Sequence, residues 1–260
     1  MRLKDKVAIV TGGGSGIGEC MCRALASEGS HVVVADVNEQ TAKSTVEKLV
    51  SLRDGRYLAV KVDVRSEEQV QQMVRRTIEE FDHIDILCAN AGVVTMNWAI
   101  DITVEEWDLN MEVNAKGVFL CNKHVARQMI KQGKGGKIIN TASMAGKSGF
   151  ALESHYCASK FAVIGFTMAL ADELAPYKIN VNAICPGIVD TPMVERGVQR
   201  EAQLRNITPE KVIQKMINFT PLGRLAKTED ITGLVIFLAS SESDFMTGQA
   251  INVTGGIEKH

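Results

Sequence analysis

Seven short runs rich in β-branched and other apolar residues recur along the chain, most followed by a longer stretch with helical periodicity. The runs are Val7–Val10, Val32–Ala35, Leu58–Val62, Ile84–Cys88, Lys137–Thr141, Asn180–Ile184 and Ile251–Val253. A run such as Val32-Val33-Val34 is apolar on both faces of a strand, so both faces need cover. Helices are predicted at Ile17–Glu28, Glu39–Val50, Glu67–Phe81, Tyr156–Ala175 and Lys227–Ser240, with one or two more before Met129. Only a parallel sheet with helices on each side buries such strands. No linker-like stretch divides the 260 residues, so residues 1–260 are expected to form one α/β domain. The segment Thr191–Phe219 fits least well. It is polar and helix-prone, and it follows a strand's C-terminal end, where a substrate lid is expected.

Composition excludes several other classes. Lys plus Arg number 29 and Asp plus Glu 31, a formal charge of −2 that offers no field to a nucleic acid. No apolar run approaches the roughly 18–20 residues of a membrane span. The longest, Phe161–Ala171, suits a buried or interface-facing helix instead. The first residues run into a strand without a signal-peptide pattern. The six cysteines form no CxxC and read as free thiols of a cytoplasmic protein. The five histidines show no ligand spacing, so no metal is expected.

The glycines are informative by placement. Thr11-Gly12-Gly13-Gly14-Ser15-Gly16-Ile17-Gly18 follows the first strand and opens a helix. Gly12, Gly16 and Gly18, with Ser15 and Ile17 between them, let the backbone approach a pyrophosphate resting on the helix N-terminus. No Lys-Ser or Lys-Thr closes the loop, which excludes a Walker A site. Asp36 ends the second strand, where a carboxylate accepts hydrogen bonds from the adenosine ribose and repels a 2′-phosphate. No Arg or Lys stands at 37 or 38 or inside the loop, so NAD is expected over NADP. Asp63 and Val64 end the third strand and face the adenine edge. Asn90, Ala91 and Gly92 follow the fourth strand and line the cofactor.

Tyr156 and Lys160 lie four apart on one predicted helix and so share a face. An ordinary tyrosine pKa near 10 is too high for a base at neutral pH, and a cation one turn away lowers it. Ser143 follows the fifth strand and meets the phenol at the sheet edge. Asn114 is an amide inside a helical segment, Glu112–Val118, there for core hydrogen bonding or for function.

Across its whole length the chain resembles a classical short-chain dehydrogenase/reductase. The pieces that carry the resemblance are the Thr11-Gly12…Gly16-Ile17-Gly18 loop, Asn90-Ala91-Gly92, Asn114, Ser143, Tyr156…Lys160 and Pro186-Gly187-Ile188-Val189-Asp190-Thr191-Pro192. Ala89 departs from the usual motif, which has Asn there. The resemblance implies a single Rossmann-type, doubly wound domain with a seven-stranded parallel sheet flanked by helices, assembled as a homo-oligomer, most often a tetramer. It implies Tyr156 as acid/base, Ser143 as the partner of the reacting oxygen, and Lys160 as the ribose ligand that lowers the tyrosine pKa. It implies that Asn114 holds a relay water, that Thr191 meets the carboxamide, and that Ile188 meets the nicotinamide ring. Pro186, Gly187 and Met193 are expected beside the cofactor.

The segments around Asn140, Tyr156, Pro186 and Gly248 resemble the polyol dehydrogenases and the acetoin reductases/butanediol dehydrogenases of that family. Val93, Trp98, Ala145, Phe150, Glu153, Gly187 and Met193 are expected around the reacting carbon, with Glu153 and His155 in reach of polyol hydroxyls. The expected reaction is hydride transfer between NAD and a small-molecule alcohol or ketone, foremost a hexitol/ketose pair. Acetoin or diacetyl and 3-oxoacyl groups are the alternative substrates. A catalytically idle nucleotide-binding scaffold is the alternative of another class, and the presence of Tyr156 and Lys160 argues against it.

Overall fold

The expected strands all form, and they pair in parallel in the order β3-β2-β1-β4-β5-β6-β7 in the computed structural model, which covers residues 1–260. They are β1 (Val7–Thr11), β2 (His31–Asp36), β3 (Tyr57–Lys61), β4 (Ile86–Ala89), β5 (Gly136–Thr141), β6 (Ile179–Pro186) and β7 (Ala250–Val253). Alternate residues of β1 serve two cores. Val7 and Ile9 join the layer built by α3 (Glu67–Phe81), α5 (Gly117–Gln132) and α6 (Ser154–Leu174). Ala8 and Val10 join the layer of α1 (Gly16–Ser27), α2 (Glu39–Leu52) and α9 (Thr228–Ala239). This two-sided burial is what the all-apolar strands require.

Strand order places β1 beside both β2 and β4. The chain winds outward one way through β2 and β3, then crosses back to β4. Such a reversal opens a crevice at the C-terminal ends of the strands, where ligands of α/β sheets bind. The fourth strand begins two residues later than expected. Ile84 is buried in the turn before it, its N–H donating to Gln132 Oε1.

Between β4 and β5 lies a helix the sequence did not describe fully. α4 (Val104–Asn110) runs into one widened π-type turn, Met111–Lys116, and then into α5. Beyond β6, α7 (Pro192–Arg205) and α8 (Pro209–Phe219) form a helical pair over the crevice. Thr191 and Thr208 cap them, and each begins with proline, whose missing N–H costs nothing in a first turn. The pair has its own small core of Val198, Ala202 and Val212.

All six cysteines are free and buried, and desolvation pushes the Cys88 and Cys121 thiols up to about 12. No helix is long and apolar enough to cross a membrane, and no group of three His, Cys, Asp or Glu side chains is placed to hold a metal.

Candidate active site

Two chambers open at the crevice. The first, about 440 Å³, is lined by the glycine loop, Asp36, Asp63, Val64, Asn90–Val93, Ser143, Tyr156, Lys160, Pro186, Gly187, Thr191 and Met193. The second, about 450 Å³, lies under α7 and α8. Ser143, Tyr156, Gly187, Met193 and Val194 line both, so two of the expected catalytic side chains stand at a shared wall; Lys160 lines the first chamber only, and Asn114 lines neither.

The first chamber fits a dinucleotide. Gly12 has φ +64, and a Cβ there would lie 2.8 Å from Ala91 Cα, so the loop closes only with glycine. Ser15 stands at the N-cap of α1 without a side-chain cap bond, and Ser15, Gly16 and Ile17 all line the chamber. The first turn thus has backbone N–H groups in search of an acceptor, such as a pyrophosphate. Asn90 braces the floor. Its amide donates to Thr11 O at 3.1 Å and accepts from Thr141 Oγ1 at 3.2 Å, tying β1, β4 and β5 together. Ala89 points into the apolar core, which accounts for the missing second amide.

Asp36 accepts from Gly14 N and Asn38 N, both at 2.9 Å, and its carboxylate sits at the chamber rim. Asn38, not Asp36, caps α2. Sequence reasoning missed Arg65, which also lines this end. Its guanidinium is paired with Asp63 at 2.7 Å, and the same hydrogen bonds hold the Asp63 carboxyl below its ordinary range. Asp63 is thus engaged with Arg65 while it still lines the first chamber, as does Val64.

Tyr156 and Lys160 rise on successive turns of α6. Lys160 Nζ donates to Thr141 O at 2.7 Å and lies 5.7 Å from the centroid of the Tyr156 ring. Burial pulls the Lys160 ammonium down to about 8. Burial also pushes the Tyr156 phenol up. The Glu153 charge adds to that rise, and the Ser143 hydroxyl works against it. Asn114 sits fully buried in the π-type turn. Its Oδ1 accepts from Val93 N at 2.8 Å, and its Nδ2 donates to Val93 O at 2.9 Å and Ser159 Oγ at 3.0 Å. The side chain thus clamps the loop after β4 to the catalytic helix. The side chain is thereby part of the framework of the site.

In the second chamber Ala145, Phe150, Glu153, Gly187 and Met193 are where they were expected. Four expectations change. Val93 faces the first chamber and Val94 takes its place in the second. Ile188 lines the second chamber and not the first. Trp98 lines neither; it is 42% exposed, with the Arg205 guanidinium 5.7 Å from its ring. His155 is fully buried, its Nε2 2.6 Å from Thr95 Oγ1, in a network that ties α6 to Asn110 of α4. Met96, Met144, Glu201, Arg205, Lys215 and Phe219 also line the second chamber and were not singled out. Phe150 and Phe219 meet edge to face, 6.2 Å apart. Burial and the nearby Glu201 charge raise the Glu153 carboxyl to about 7.

Residues 6–202 match the family model described as short chain dehydrogenase. The chain is 40% identical over 256 residues to galactitol 2-dehydrogenase of Agrobacterium fabrum, with 98% of each chain covered. It is 36% identical over 257 residues to the 3-oxoacyl-(acyl-carrier-protein) reductase of Thermotoga maritima, with 99% of each covered. The crystal structure of levodione reductase superposes with a TM-score of 0.93 at 34% identity, covering 98% of both chains.

Proposed function

The chain belongs to the short-chain dehydrogenase family, and on that premise we propose that it is an NAD-dependent oxidoreductase acting on a secondary alcohol and its ketone. The observation that carries the reading is the wall shared by two chambers, where Ser143 and Tyr156 face both.

The bound nicotinamide supplies the hydride acceptor or donor. The first turn of α1 holds the pyrophosphate, Asp36 the adenosine ribose, and Gly187, Thr191 and Met193 the nicotinamide end. Tyr156 takes the alcohol proton in oxidation and returns it to the forming alkoxide in reduction. Ser143 fixes the reacting oxygen. Lys160, held on Thr141 O, supplies the positive charge that favours the phenolate during turnover. The chambers position the reactants and exclude water around them.

NAD preference rests on Asp36 and on the pairing of Arg65 with Asp63, which leaves that cation spent. Comparing kcat/KM with NAD and NADP tests it. NAD is expected to be strongly favoured, and Asp36→Ala to narrow the gap. Equal use, or an NADP preference, overturns it.

For the substrate, Glu153 in the chamber and the likeness to galactitol 2-dehydrogenase support a polyol/ketose pair. The walls of Met96, Met144, Phe150 and Phe219 favour a second reading, a less polar cyclic or 3-oxo ketone. Acetoin and diacetyl are small enough for either. Coenzyme absorbance across hexitols, 2,3-butanediol, acetoin, cyclic ketones and 3-oxoacyl esters separates them. A catalytically idle scaffold is disfavoured by the intact Ser143, Tyr156 and Lys160. The protein is read as a cytoplasmic homotetramer, with no role for nucleic acid or membrane.

A further inference from the structure

We infer that Glu153 is a specificity-determining residue, selecting substrates that carry a second hydroxyl beside the reacting carbon over simple secondary alcohols. This rests on the reading of the site as a secondary-alcohol dehydrogenase.

Glu153 occupies the N-cap of α6, where an acidic side chain ordinarily accepts from the first N–H groups of the helix. It makes no such bond. Its carboxylate lines the second chamber without an ion pair or a hydrogen bond to any protein group, among apolar walls. Glu153 is half-buried, and a ligand hydroxyl that donates to its free carboxylate gains a charge-assisted hydrogen bond in place of solvent. Two of the other polar side chains there are already engaged, while the Lys215 ammonium also lines the chamber. Ser143 Oγ accepts from Ala145 N at 3.1 Å and faces the phenol. Glu201 accepts from Arg205 Nε at 2.6 Å.

Position sets what the ligand must offer. Glu153 and Tyr156 are three apart at the start of one helix, so their Cβ atoms lie about 5–6 Å apart. Both side chains line the second chamber with Ser143, and the Glu153 charge is felt at the Tyr156 phenol, so Glu153 is placed to meet a group next to the reacting carbon. Charge narrows the choice further. A cation approaching Glu153 also meets Arg205 and Lys215 of the helical pair, and an anion meets Glu153 and Glu201. A neutral hydroxyl meets neither penalty. The pKa of about 7 leaves the carboxyl able to accept from a hydroxyl when ionised and to donate to one when protonated.

The test compares trans-1,2-cyclohexanediol with cyclohexanol as substrates of the wild type, Glu153→Met and Glu153→Gln. In the wild type the diol is expected to have the higher kcat/KM by about 10–100-fold. Glu153→Met should bring the diol-to-cyclohexanol ratio near one, and Glu153→Gln should retain part of the preference. Equal losses on both alcohols in Glu153→Met, or an unchanged ratio, would overturn the assignment. Calorimetric titration of the same two alcohols in the presence of NAD reads the preference without turnover. Tighter diol binding that Glu153→Met abolishes supports the role of Glu153 even if neither alcohol is oxidised, an outcome that would remove the dehydrogenase reading alone. Equal affinities in the wild type overturn the role of Glu153 itself.

Discussion

Tyr156 joins the two chambers by a single oxygen, and its chemistry is separable from its packing. Tyr156→Phe keeps the ring and removes the proton. Turnover is expected to fall by about 10²–10⁴-fold, the usual worth of general acid–base catalysis, with NAD binding retained. A variant keeping more than about a tenth of kcat refutes the role. Glu153 gives a second residue-scale expectation. Its carboxyl rises from an ordinary 4.5 to about 7 in the fold, so the folded chain holds a proton that the unfolded chain has lost between those values. Stability is therefore lost as pH climbs from 4.5 to 7, by up to about 3 kcal/mol, and the cost is complete above 7. Glu153→Gln has no such cost. It should melt a few degrees above the wild type at pH 8 and nearly level with it at pH 4.5; equal gaps at both pH values would show that the carboxyl is solvated. These two residues, with Lys160, were legible because helical spacing alone fixes their relation. Trp98, Val93 and Ile188 were misplaced because nothing local says which way a loop side chain turns, and His155 because the first turn of α6 does not say which neighbour it will meet. Packing of α4 and α7 decides it, drawing His155 inward to Thr95 and Trp98 out over Arg205.

Strands and long helices were legible to within a residue or two because two-sided burial and the 3.6-residue period are written in the order of residues. The π-type turn at Met111–Lys116 was not. One extra residue in one turn leaves no period to detect. Its effect is tertiary: Asn114 is brought round to hold Val93 and Ser159, and the loop after β4 is fixed against α6. The helical pair α7 and α8 was visible as a polar, helix-prone segment, while its inner side chains were not. Those helices share only a small core of their own, a property of elements that open locally. We expect residues 191–219 to be the most rapidly exchanging part of the protein without ligands, and their protection to rise stepwise with NAD and then substrate. Hydrogen exchange on the three states measures this. Uniform protection throughout would show a fixed roof and a preformed pocket.

At the scale of the molecule, the apolar stretch of α6 has one side in the core and one side uncovered. Phe161 and Met168 are 48% and 54% exposed, with Phe119 of α5 beside them at 42%. Large apolar side chains gathered on one face ordinarily meet a partner. A homo-oligomer through this face, most simply a tetramer, is expected in sedimentation, and Phe161→Glu should drive it toward smaller species. A 28.3 kDa monomer at micromolar concentration would overturn that. The strand order bears on how the protein is made. β1 lies inside the sheet, next to the central β4, and β6 and β7 close one edge. Gly187, at the shared wall, packs so tightly on Thr254 that a Cβ would come within 2.8 Å of its Cα. A growing polypeptide emerging from the ribosome therefore exposes the open flank of β5 until β6 and β7 follow. Such a nascent chain already carries the glycine loop and the catalytic tyrosine. The wall between them stays unfinished until Thr254 has packed on Gly187, so a product cut short before β7 is expected to be inert.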